Sequence, residues 1–120
     1  MRQLKSTDLF AALRVVKEIG VKDEMKQFAQ AVAEGRMSAK TQREMGAELI
    51  FGLLANCGSE GAEKAFFSFL SGPLEKPVNE LRDMDLDVFA DTIKEFVASI
   101  DLEHWRGFFS SLADLIKKQS

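Results

Sequence analysis

The sequence predicts an all-α fold, a single-domain bundle of five to six short-to-medium helices over residues 1–120. Three observations carry that expectation. Apolar residues recur at spacings of three and four almost throughout, which lines them up on one side of a helix. No segment shows the clean alternation that a half-buried strand requires. Ser, Asp, Gly and Pro fall where such helices would start and stop. With 120 residues, 46% of them apolar and 29% charged, the chain is long and apolar enough to close one real core and is not of disordered composition.

Each element has its own justification. Ser6, Thr7 or Asp8 can cap a first helix carrying Leu9, Phe10, Leu13, Val16 and Ile19, which Gly20 stops by tolerating positive φ. Asp23 suits the first turn of a second helix, with Met25, Phe28, Ala29 and Val32 on one side and Gly35 at its end. Ser38 opens a longer third helix whose stripe of Met45, Leu49, Ile50, Leu53 and Leu54 is the broadest in the chain and marks it as the centre of the core. That helix ends near Asn56 and Gly58. Ser59 caps a fourth through Phe66, Phe67, Phe69 and Leu70, which Gly72 and Pro73 should close because proline cannot continue a helix. Residues 73–77, PLEKP, read as a short linker between the first four helices and the rest. Pro77 suits the first turn of a brief helix over Val78 to Leu81. The next helix carries Phe89, Ile93, Phe96, Val97 and Ile100, and Asp101 caps a last one with Trp105, Phe108, Phe109, Leu112, Leu115 and Ile116.

Charge is unevenly placed along the chain. The net charge is −3, yet Met1 to Glu44 holds nine Lys/Arg against six Asp/Glu, and Glu75 to Glu103 holds three against nine. An acidic total argues against binding duplex nucleic acid, where affinity depends on neutralising phosphates. The lone Cys57 can form no internal disulfide, and no stretch reads as a signal peptide or a membrane span, so the expected compartment is the cytoplasm.

Several motifs invite a chemical reading and fail it. In RDMDLDVF, Asp83, Asp85 and Asp87 match positions 1, 3 and 5 of a calcium-binding loop, but position 6 is Val88 rather than Gly and position 12 is Lys94 rather than Glu. A lysine there repels the ion. Asp85 as an N-cap and Asp87 in a first turn account for two of the three, leaving Asp83 in a solvated acidic patch. Cys57 and His104 are two scattered soft ligands where structural zinc needs four, and neither has the flanking residues of a nucleophile and its base. GSEG at 58–61 lacks the Lys and Ser/Thr of a phosphate-binding loop. No metal or cofactor is expected, and no catalytic constellation can be assembled.

Aromatic content is the remaining signal. Ten of the eleven aromatic residues are Phe, none is Tyr, and all but Trp105 lack a polar tip. In AFFSFL, Phe66, Phe69 and Leu70 share a helical face while Phe67 points about a third of a turn away, and Phe108 and Phe109 pose the same difficulty. Either these helices are covered on two sides, or part of the aromatic surface is a groove for a partner's helix. Such a groove, rimmed by Asp83, Asp85, Asp87 and Asp91, would suit a basic amphipathic segment.

With these residues in view, the chain resembles the tail assembly chaperones of long-tailed bacterial viruses and prophages. The likeness lies in LKSTDLFAALRVVKEIGVKDEMK, a polar lead followed by a helix, a small loop and a second charged helix. It continues in KPVNELRDMDLDVFADTIKEFV, a short helical turn, an acidic Asp/Leu step and a long amphipathic helix, and in the aromatic-led FFSSLADLIKK. The resemblance implies a non-enzymatic protein of the host cytoplasm, absent from the mature virion. Its implied partners are the tape measure protein, which it keeps soluble, and the tail tube protein, which it helps recruit; self-association is left open. It also implies a longer product made by a ribosomal slip, for which adenine-rich codons at Lys117 and Lys118 would serve, although two lysines also complement a helix C-terminus. An unrelated small α-helical adaptor or transcriptional regulator is the alternative, but AKTQREMGAELIFG presents Lys40, Gln42 and Arg43 only at its start, and a DNA-reading helix needs polar residues along its outward face.

Overall fold

Capping chemistry and apolar spacing resolve the chain into seven helices in the computed structural model, which describes residues 1–118: α1 (Ser6–Ile19), α2 (Lys22–Ala33), α3 (Ala39–Ala55), α4 (Glu60–Leu74), α5 (Val78–Asp83), α6 (Leu86–Ser99) and α7 (Leu102–Lys118). The count exceeds the expected five to six because the short segment after Pro77 is a helix in its own right. Among the described residues there is no strand. Two side-by-side pairs organise the bundle, α1 against α4 and α2 against α7, with α1 also touching α7; α6 lies beside α3, and α5 beside α4. The radius of gyration, 13.4 Å, is close to the roughly 13.6 Å of a compact chain this long.

Most stops and starts fall where the sequence places them. Gly20 adopts φ +80 and closes α1 with its N–H on the Val16 carbonyl; Ser38 and Ser59 accept from the Thr41 and Ala62 amides at 3.2 and 3.1 Å. Asp101 accepts from the Glu103 amide at 2.8 Å at the head of α7. Three ends differ. The N-cap of α1 is Lys5, and Asp8 instead lies in the first turn and reaches back to accept the Lys5 amide at 2.7 Å. Pro73 does not end α4: it sits buried in the last turn, where the carbonyls around it still find donors, and the helix runs on to Leu74 before Glu75 turns it with a left-handed φ of 56. The proposed linker therefore shrinks to Glu75–Pro77, with Pro77 itself the N-cap of α5.

The core is one continuous cluster to which every helix contributes, α5 through Leu81 and α3 through Ile50 alone, so α3 is not its centre. Of its 17 residues only Gln42, Gly46 and Ile50 are buried, a single line at i, i+4 and i+8. Met45 is exposed and Leu49, Leu53 and Leu54 are half-buried. The breadth of that stripe, read as a sign of deep burial, reflects a helix laid over the bundle with apolar side chains to spare.

Candidate interaction surface

The aromatic residues come first, since they were candidates for a groove. Phe66, Phe67, Leu70, Phe108 and Phe109 are all buried, and Phe69 is half-buried. Phe66 and Phe67 meet edge to face at 5.3 Å between centroids, and Phe67 reaches Phe89 of α6 at 6.1 Å. Phe109 is enclosed by Phe28, Phe108 and Trp105, at 5.2, 5.4 and 4.6 Å. Of the two alternatives, cover on two sides is the one these residues adopt: α4 is covered by α1 on one side and by α5 and α6 on the other, so both faces of AFFSFL find neighbours.

The acidic half of that expectation does lie at the surface. Asp83, Asp85, Asp87 and Asp91 are exposed, around the corner where α5 ends, Met84 and Asp85 run extended, and α6 begins. Asp85 occupies the N-cap as expected, yet its side chain makes no capping bond; Asp87 Oδ1 accepts from the Val88 amide at 3.0 Å. Nearby Arg82 is held by Glu63 at 2.7 Å, so it does not neutralise the corner. Between the aspartates stand Leu86 and Val88, 79% and 48% exposed. Leu86 continues the buried stripe of Phe89, Ile93 and Phe96 by one turn, beyond the point where the bundle can cover it. Sequence spacing alone assigns Leu86 to the core; only the position of the helix end shows that it is not. Phe10 and Met45 are exposed singly, which is ordinary.

Two buried polar sites lie elsewhere. Asp8, 4% exposed, is gripped by Arg2, whose guanidinium spans both carboxylate oxygens at 2.8 and 3.1 Å, and the Arg2 amide donates to the Pro73 carbonyl at 2.8 Å. The hydrogen bond it donates to Asp8 holds the Arg2 guanidinium above its usual pKa range, against the opposing effect of burial. Gly72 makes room for the pair, since a Cβ there would stand 2.6 Å from Arg2 Nη2 and 3.0 Å from Asp8 Oδ1. At the α3 seam, Gln42 Oε1, Arg43 Nε and Trp105 Nε1 are buried with no hydrogen-bond partner among the described residues, and the three side chains line one narrow crevice with Val97, Ile100 and Leu102. Each such atom costs about 1–3 kcal/mol. Trp105 abuts α3 at Gly46, where a Cβ would stand 3.0 Å from its ring. The pattern singles out neither Arg2 nor Gly46 and reads Gly72 only as a helix stop, though a glycine inside a helical stripe is itself a sign of close approach.

Metal chemistry finds no cluster to use: among the described residues no group of three or more His, Cys, Asp or Glu side chains could hold an ion. Cys57 Sγ donates to the Leu53 carbonyl at 3.2 Å, and burial, with a smaller contribution from Glu63, pushes its thiol pKa up, away from the thiolate a nucleophile needs. His104 Nδ1 lies 4.0 Å from Asp101 Oδ2 in the exposed first turn of α7. No described helix is long and apolar enough to cross a membrane. Compared with known protein families, with curated proteins and with solved structures, the chain matches none.

Proposed function

We propose that this protein is a tail assembly chaperone of a long-tailed bacterial virus or prophage, a non-enzymatic helical module working in the host cytoplasm. It binds the tape measure protein, keeps it soluble and helps recruit tail tube subunits. The observation that carries the reading is the α5–α6 corner, where exposed Leu86 and Val88 are set among Asp83, Asp85, Asp87 and Asp91. Such a surface suits a basic amphipathic helix: the apolar pair supplies anchorage and the carboxylates supply steering and orientation. The layout of the sequence, from its charged opening helices to its aromatic-led last one, supports the same family. A transcriptional regulator is disfavoured because Gln42 is buried and Arg43 is half-buried, so neither is presented as a base-reading side chain.

The test is co-expression with a tape measure protein, the partner this reading names. The native chain should co-purify with it and hold it in solution, while Leu86→Ser/Asp87→Lys should lose the partner and keep its own circular dichroism. Binding should also weaken as salt rises. A folded L86S/D87K variant that still retains the partner removes this corner as the receptor, and failure of the native chain to co-purify removes the chaperone reading itself.

A further inference from the structure

We infer that α3 is a hinged flap, which lifts from the rest of the bundle as a unit and uncovers the side of the core holding Phe96, Trp105 and Phe108. Four independent observations converge on this helix. Its inward line is Gln42, Gly46 and Ile50, so only one large apolar side chain is fully buried along 17 residues. Its seam with α6 and α7 holds the unpaired Gln42 Oε1, Arg43 Nε and Trp105 Nε1, all of which gain water when the helix lifts. An apolar cavity of about 50 Å³ lies beneath it, bounded on the α3 side by Gly46, Leu49, Ile50 and Leu53, so the contact is loose as well as narrow. Finally, α3 is a weak helix by its own sequence: Gly46 and Gly52 interrupt it, and its first turn carries Lys40 with no acidic residue to favour the positive end.

The ends of α3 are built to let this happen. Before it, Gly35 takes a left-handed φ of 69 in the connection from α2; after it, Cys57, Gly58 and Ser59 run free of helix, and nothing lies within 4 Å of a Cβ placed on Gly58. The pairings of α1 with α4 and of α2 with α7 do not involve α3, and α6, which loses α3 as a neighbour, stays on the bundle through Phe89 against Phe67. Closed and open forms therefore differ by one helix rather than by the fold. This flap stands independently of the chaperone reading, which rests on the α5–α6 corner.

Hydrogen exchange of the full chain, read by peptide mass spectrometry, tests it directly. Amides of residues 39–55 should exchange at least about tenfold faster than those of α2 and α7, as expected for a segment that opens locally. Equal protection in α3 and α7 overturns the inference. A second measurement uses Trp105, the one tryptophan. Gly46→Leu should wedge α3 away and make Trp105 emission red-shifted and quenchable by acrylamide, while α2 and α7 stay protected; Gly52→Leu, on a side of α3 with open space, should not. Loss of protection throughout the molecule in G46L, or a Trp105 that stays shielded, also overturns it.

Discussion

The α1–α4 seam and the α3 seam both bury polar atoms beside a helical glycine, and they resolve the same physical problem in opposite ways. At Gly72 the missing Cβ admits a complete pair, Arg2 with Asp8, and the carboxylate also closes the α1 N-terminus through the Lys5 amide. At Gly46 the missing Cβ admits an aromatic ring, whose N–H, along with the Gln42 carbonyl and Arg43 Nε, is left without a partner. Around the first seam Ala62, Phe66, Leu70 and Leu74 are fully packed; around the second the apolar residues of α3 are half-covered. A satisfied polar pair fixes a helix in register, whereas an unsatisfied one taxes the contact it sits in. The molecule is thus firm where α1 meets α4 and yielding where α3 meets α6 and α7.

The largest expected effect comes from deleting the same side chain on the two sides of this comparison. Leu70→Ala, at a fully buried position of α4, should cost about 2–5 kcal/mol in urea unfolding. Leu53→Ala, at a half-buried position of α3, should cost about 1 kcal/mol or less. Equal losses would mean that α3 is as integral as α4, and the contrast would collapse.

Next comes the paired site. Asp8→Ala strands a guanidinium that is 23% exposed by its side chain, so some water reaches it, and the loss should be about 2–3 kcal/mol. A double-mutant cycle with Arg2→Met should return a coupling of similar size if the pair itself is responsible. Because the folded state raises the Arg2 pKa, its contribution is fully present below the ordinary arginine range and is lost only as pH rises through the raised value. Base titration up to that range should leave the Asp8→Ala deficit unchanged.

How much of this was legible in the sequence depends on whether a feature is local. Caps at Ser38, Ser59 and Asp101 and the stop at Gly20 follow from chemistry within one turn, and all four sit where the pattern puts them. Pro73 was misplaced because a proline in the last turn of a helix forfeits only one donor, and the neighbouring Arg2 amide still uses its carbonyl. The rank of α3 was misjudged because an apolar stripe tells how much surface could be buried and not how much partner surface exists to bury it. Likewise the Phe residues were known to need cover on two sides, but which helices supply it is a matter of packing between segments far apart in the chain. The acidic corner was found; its apolar pair was not, since Leu86 shares the spacing of the core.

The smallest effect sharpens the comparison by strengthening the weak side without touching any contact. Gly52 lies inside α3, its φ is not in the left-handed region, and a Cβ built there meets nothing within 4 Å. Alanine in that position adds no clash and buries no polar group, while it narrows the conformations open to the unfolded chain and favours the helix by about 0.5–1 kcal/mol. If α3 opens by itself, most of that gain should appear as slower exchange of residues 39–55, because the substitution stabilises the closed helix against its own unfolded form. If α3 opens only when the whole bundle does, slowing should instead appear equally in α2 and α7, through the global equilibrium. Gly72→Ala makes the opposing case at the firm seam: the same propensity gain is set against displacement of the Arg2–Asp8 pair, and the balance there should be a loss. Two glycine-to-alanine changes with opposite signs, read by urea unfolding, would separate a glycine that makes room from one that merely loosens its helix.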